Sequence, residues 1–224
     1  TEAFYICGTT SAKQGVIDLG YTVDKIGLKC FANDASGPEE DWILTLNSSA
    51  REYGKHSFSR QYNLTNLNLT ENALYFDEYA FEYCTSLTNV VLPGANNVYQ
   101  YAFQYCSAIT GIEIGSEGGP RDGNLWDSSF RRIGTNTTNG TLKINRAIAS
   151  VGRYAFFGDA NHKWITTANI NAEIIEHEAF AYQSNMSDLT FGSGVKRIGR
   201  GYDGSNSYSF RNCTSLTEVR VPDP

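Results

Sequence analysis

Positive charge is in short supply in this sequence: 18 Lys and Arg stand against 24 Asp and Glu, a net charge of −6 over 224 residues. That balance argues against a nucleic-acid binder, because phosphate contacts need clustered cations. No apolar run reaches transmembrane length, so no membrane insertion is expected within these residues. There is no CxxC, CxxH or HxxxH pairing, which removes the usual spacing of a metal site. No GxSxG elbow, P-loop or HExxH occurs either. The expectation is a non-enzyme without metal or cofactor. A start Met and a signal peptide are also missing, and the chain opens on "TEAFYIC".

With 41% hydrophobic and 19% charged residues, the chain has the make-up of a folded protein with a sizeable core. Its main feature is repetition. "YAFEYCTSLTNVVLP" (Tyr79 to Pro93), "YAFQYCSAITGIEI" (Tyr101 to Ile114) and "YSFRNCTSLTEVRVP" (Tyr208 to Pro222) nearly coincide. With the Phe as anchor, further copies fall at Phe4, Phe31, Phe58, Phe130, Phe156 and Phe180, at spacings of 22 to 30 residues. The residue before each anchor is small, for example Ala80, Ala102, Ser129 and Ala155. Five positions before it stands an apolar residue: Ile26, Tyr53, Phe76, Val98, Leu125, Val151 or Ile175.

After each anchor comes an apolar-x-apolar triplet, such as Ile17-Asp18-Leu19, Leu44-Thr45-Leu46, Leu67-Asn68-Leu69 and Ile112-Glu113-Ile114. Alternation with period two predicts a strand with one buried face. A unit of this size cannot bury that face alone and needs a neighbour on each side. Stacked in register at about 4.8 Å per coil, the units predict a mainly β solenoid about 40 Å long. Residues 1–224 then form one domain of about nine coils. The first coil is partial, because the chain opens inside a repeat, and a fragment of a longer protein is expected.

The pattern resembles the BspA-like leucine-rich repeats, bacterial and protozoan surface proteins whose consensus reads roughly "I-G-x-x-A-F-x-x-C-x-x-L-x-x-I-x-I-P". "YAFEYCTSLTNVVLP" carries most of it, "IGLKCF" and "VGRYAF" its front, and "CTSLTEVRVP" its back. The resemblance implies a right-handed leucine-rich-repeat-like stack, with a parallel sheet on one face and short or helical turns on the other. It further implies an extracellular or cell-surface module that adheres to a host protein or glycan. A rigid, non-catalytic spacer presenting another domain is the alternative, and a monomer is expected.

Repeat register accounts for the cysteines. Cys7, Cys84, Cys106 and Cys213 each follow their Phe by three positions, and Cys30 precedes Phe31. Cys there acts as a compact apolar residue with a weak donor. Cys84 and Cys106, in adjacent coils, could approach disulfide distance, but parallel side chains disfavour the bridge, and thiols are expected. His56, His162 and His177 lie in different repeats and share no motif. "RDGN" (Arg121 to Asn124) and "DGSN" (Asp203 to Asn206) read as turns and not as calcium loops, and "GPEED" (Gly37 to Asp41) as a solvated insertion. The seven N-x-S/T sequons read as compositional, acquiring meaning only in a eukaryotic source.

Two surfaces remain as candidate contacts. On the exposed sheet face the central column is expected to read Asp18, Thr45, Asn68, Val91, Glu113, Lys143, Asn169, Thr190 and Arg220, beside a column beginning Val16, Ile43 and Asn66. Asn68, Glu113 and Lys143 are its candidate binding residues, weighed against simple solubility and polar ladder pairing. Tyr83, Tyr105 and Tyr182 recur two positions after their Phe. Tyr gives large contact area and a hydroxyl at low entropic cost, although these rings could equally be packing spacers over the turn.

Overall fold

The computed structural model describes residues 15–33, 43–116, 123–135, 139–200 and 207–222. Cys7 and Phe4, the "GPEED" and "DGSN" stretches and part of "RDGN" lie outside them. Strands, numbered in chain order, fall into two columns. The long column holds β1 (Gly15–Asp18), β3 (Ile43–Ser48), β5 (Asn66–Leu69), β7 (Asn89–Leu92), β9 (Gly111–Ile114), β11 (Gly140–Val151), β12 (Ile165–Glu176), β13 (Asp188–Phe191) and β15 (Glu218–Arg220). The short column holds β2 (Lys25–Ile26), β4 (Glu52–Tyr53), β6 (Tyr75–Phe76), β8 (Asn97–Val98), β10 (Asn124–Leu125) and β14 (Arg197–Arg200), together with the C-terminal halves of β11 and β12. Every pairing is parallel and joins one coil to the next, as a solenoid requires. In the long column the ladder is interrupted between β5 and β7.

The sequence allows short or helical turns on the third side, around each Phe. No helix occurs there among the described residues. Instead the Phe N–H of one coil donates to the carbonyl of the small residue before the next Phe: Phe58 to Ala80, Phe81 to Ala102, Phe103 to Ser129 and Phe130 to Ala155, at 2.7–2.9 Å. The small side chain lets the backbones come that close. The anchors Phe31, Phe58, Phe81, Phe103, Phe130, Phe156, Phe180 and Phe210 consequently form one stack, with neighbouring centroids 4.9–5.2 Å apart and planes within 13°. The apolar residues five positions upstream, Ile26 to Ile175, are all buried beside it. Burial pushes the Tyr53 phenol in that row up to about 12.

Cys30, Cys84, Cys106 and Cys213 are thiols. Three of them donate to the carbonyl of the preceding coil's anchor: Cys84 to Phe58, Cys106 to Phe81 and Cys213 to Phe180, at 3.2–3.4 Å. Gln61 and Gln183 stand at the same repeat position and serve the same purpose, donating Nε2 to the Phe31 and Phe156 carbonyls at 2.6 and 2.8 Å. Where the position holds Cys or Gln it supplies a donor to that carbonyl, whereas Ile133 and Asp159 occupy it in two other coils.

One register expectation is overturned. Val16 pairs with Thr45 and Asp18 with Asn47, while Thr45 pairs with Asn66 and Asn47 with Asn68. Asn47 therefore takes the central place expected for Thr45, Thr45 takes the flanking place expected for Ile43, and Ile43 is buried. The cause is Ser48, which pairs with Leu69 and points inward as a buried polar residue. Leu44 and Leu46 satisfy the apolar-x-apolar pattern, whereas the strand's inward pair is Leu46 and Ser48.

Candidate functional site

The tyrosines are exposed by an unusual backbone. Residues two before and two after the anchors take left-handed φ: His56, Tyr79, Tyr101 and Tyr154 on one side, and Arg60, Tyr83, Tyr105, Arg132 and Tyr182 on the other, all between 55° and 65°. Bulky side chains rarely adopt this conformation. Here it is held by hydrogen bonds on both sides. The N–H of Tyr83 donates to Gln104 of the next coil and that of Tyr105 to Arg131, while Glu82 closes a turn onto the Tyr79 carbonyl and Cys84 onto that of Phe81. Amides thus go alternately to the next coil and back along their own, and the side chains at the left-handed positions line up from coil to coil.

Two ridges result. In the first, Tyr83 and Tyr105 stack at 4.6 Å with planes 12° apart, and a guanidinium caps each end, Arg60 over Tyr83 at 5.9 Å and Arg132 over Tyr105 at 5.7 Å. Arg132 Nη1 also donates to the Tyr105 hydroxyl at 2.7 Å, and its Nε lies 3.1 Å from Asp159. Burial alone would raise the Asp159 carboxyl, but the Asn161 N–H, His162 and Arg132 together hold it below its ordinary value. In the second ridge His56, Tyr79 and Tyr101 stack at 4.7 and 5.0 Å. Burial pushes the Tyr79 and Tyr83 phenols up, and the phenols of Tyr101 and Tyr105 add to the effect. Burial and the cations Lys55, Lys29 and Arg60 hold His56 below its ordinary value. A depression of about 280 Å³ opens between the ridges, edged by Lys29, His56, Arg60, Ser59 and Glu82.

Tyr182 does not join the pair. Arg132 and the buried Gly158 occupy the same position in the coils between, and its ring tilts against Phe157 with Arg211 above it. On the sheet face Asn68 donates to Asn47 Oδ1 at 2.8 Å, Glu113 accepts from Asn145 at 2.7 Å, and Lys143 stands in register between Glu113 and Asn169. Asn68 and Glu113 are thus engaged in ladder pairing between coils. Among the described residues no group of three or more His, Cys, Asp or Glu is placed to hold a metal ion. No helix among them is long and apolar enough to cross a membrane.

A second aromatic feature departs from the repeat pattern. Four positions before the anchors, Tyr99 and Trp126 stack at 5.5 Å, and Trp126 Nε1 donates to Asn97 Oδ1 at 3.1 Å. The signal lies in the deviation: Trp126 stands where the motif places glycine, as in Gly27, Gly54 and Gly152. Beside Trp126 is a cleft of about 340 Å³ over Gly152.

A family model described as the BspA type leucine rich repeat region matches residues 1–119 and 126–224, in six copies. The chain is similar to a solved leucine rich repeat protein of T. pallidum, at 16% identity and a TM-score of 0.49, over 92% of this chain and 79% of that one. It is also similar to a leucine rich cell surface protein of Faecalibacterium prausnitzii (18%, TM-score 0.30, 88% and 64%) and to a leucine-rich repeat protein of Bacteroides ovatus (15%, TM-score 0.29, 94% and 73%). No curated protein matches the chain.

Proposed function

This chain belongs to the BspA-type leucine-rich repeat family, and from that premise we propose that it is a non-catalytic binding module, displayed at the cell surface, that docks an extracellular host protein on its tyrosine ridges. The observation that carries the reading is the Arg60–Tyr83–Tyr105–Arg132 stack. Its ring faces are covered by one another and by the guanidinium groups, so what it offers outward is ring edges and hydroxyls. Edges and hydroxyls held rigid over several coils suit a protein partner, where Tyr and Arg dominate hot spots. A solenoid presents such contacts as an extended surface.

The test is an array of extracellular-matrix proteins and glycans probed with this chain and with a Tyr83→Ala, Tyr105→Ala double variant. Loss of a hot spot should weaken binding by at least about 2 kcal/mol, roughly thirtyfold, without moving the melting curve by an equivalent amount. Binding abolished by changes at Asn68, Glu113 and Lys143, yet indifferent to the tyrosines, would relocate the site to the sheet. Silence across the array from a folded protein would favour the spacer reading.

A further inference from the structure

The cleft over Gly152 offers what the tyrosine ridges do not, an uncovered aromatic face. Along the column four positions before the anchors stand Gly54, Asp77, Tyr99, Trp126, Gly152 and Glu176. Tyr99 covers one face of the Trp126 indole. In the next coil the column holds Gly152, which has no side chain to continue the stack. A Cβ at Gly152 would come within 2.7 Å of the Leu125 carbonyl and 2.9 Å of the Asp127 backbone N and Oδ1, so no side chain beyond hydrogen fits here, and Asp127 Oδ1, which accepts the Arg153 N–H, stands beside it. Trp126 is 43% exposed and lines the same cleft as Gly152 and Glu176. At about 4.8 Å per coil, the missing side chain leaves a slot one coil thick.

The indole is fixed. Its backbone N–H donates to Val98 and its Nε1 to Asn97 Oδ1. The same amide oxygen lies 3.5 Å from Asn124 Nδ2, and Asn124 Oδ1 accepts from the Ser150 hydroxyl at 2.9 Å. Of this chain Asn124 and Ser150 line the slot beside the ring, with Gln100, Asp127 and Glu176 on its other borders. None of the lining residues is Lys, Arg or His, and the apolar lining beyond Trp126 is Leu125.

We propose that this slot is a saccharide subsite for neutral sugar residues. The negatively charged face of an indole attracts the polarised C–H groups on one face of a pyranose ring. Amides, a hydroxyl and carboxylates at the ring's edge match sugar hydroxyls, the carboxylates accepting the stronger bonds. The absence of cations among the lining residues turns away uronic, sialic and sulfated sugars. A volume at the small end of the range for ligand clefts, about 300–1,000 Å³, suits a short stretch of a glycan. The site shares no residue with the tyrosine ridges and stands or falls independently of the protein-docking reading.

The probes are defined cello-, xylo- and manno-oligosaccharides, titrated calorimetrically into the intact chain. At least one should bind saturably. Trp126→Ala should weaken it by about tenfold or more, Trp126→Phe should weaken it less, and Tyr83→Ala with Tyr105→Ala should leave it unchanged. Should Trp126→Ala fail to fold, the wild-type protein still decides: the bound saccharide should shield Trp126 from N-bromosuccinimide oxidation, located by peptide mapping. Absence of saturable binding by every probe overturns the proposal, as does binding that neither depends on Trp126 nor shields it. A cationic chitosan oligomer is titrated alongside as a charged control: binding confined to it and lost at high salt overturns the proposal too, since it marks simple charge capture by the carboxylates.

Discussion

Each coil is anchored by a Phe whose ring lies between the rings of its neighbours. Phe103 is fully buried between Phe81 and Phe130, with centroids 5.1 Å from both. Removing it opens a cavity that two aromatic neighbours border and cannot close, so Phe103→Ala should cost about 3–5 kcal/mol in a urea melt. A loss below about 1 kcal/mol would mean that the ring is not a core anchor. The cysteines make a separate prediction. The sulfurs of Cys84, Cys106 and Cys213 are occupied with anchor carbonyls, and burial pushes the Cys213 thiol up to about 11. Buried thiols of this kind should resist alkylation in the native state at neutral pH. After denaturation without reductant all five cysteines of the chain should react. Three reactive thiols would reveal a disulfide.

The turn around each Phe is an element in its own right, and its left-handed positions reverse a familiar preference. Tyr83 has φ 60°. Once its ring is gone, Ala there carries the left-handed strain, about 1–2 kcal/mol, that Gly escapes. Tyr83→Gly should therefore be more stable than Tyr83→Ala, opposite to the order found within regular elements. Equal stabilities, or Ala ahead, would show that the turn relaxes when the ring is removed. The neighbouring ridge has a pH dependence of known sign. His56 is held below its ordinary value of 6.5, first by burial and then by Lys55, Lys29 and Arg60, with Glu78 opposing. The unfolded chain accordingly takes up this proton at higher pH than the folded one. The stability from neutral His56 is fully present above about 6.5 and declines as pH falls toward the folded value. Melting temperatures between neutral pH and pH 5 should drop less steeply for His56→Asn, a residue that also tolerates left-handed φ. Parallel slopes would remove His56 as the cause.

Across the whole molecule, coils touch only their neighbours, and stability is expected to vary along the axis. The middle of the Phe stack is enclosed from both sides, whereas β15 is exposed along its length. Hydrogen exchange should be slowest at the anchor amides of Phe81, Phe103 and Phe130, which donate to the next coil, and fast in β15. Uniform protection from β1 to β15 would instead reveal a single all-or-none unit. Ion pairs between coils, such as Lys25–Glu52 and Lys196–Glu173, lie at the surface, where such pairs add little.

What the sequence determined by itself was the repeating apolar frame. The anchor Phe, the small residue before it, the apolar residue five positions upstream and the strand alternation recur in register, and periodic burial needs no knowledge of the tertiary structure to be seen. Tyr83 and Tyr105 were legible as a pair for the same reason. Single departures were not. Ser48 facing inward and Asn47 in the central column are decided by which residues the neighbouring strand presents. The equivalence of Gln61 and Gln183 with the cysteines appears only when the anchor carbonyl is seen to need a donor. The guanidinium caps on the tyrosines, and the bare face of Trp126 over Gly152, depend on what stands one coil away, some 25 residues distant in sequence. A repeat pattern specifies what each coil buries; only stacking decides what each coil leaves uncovered.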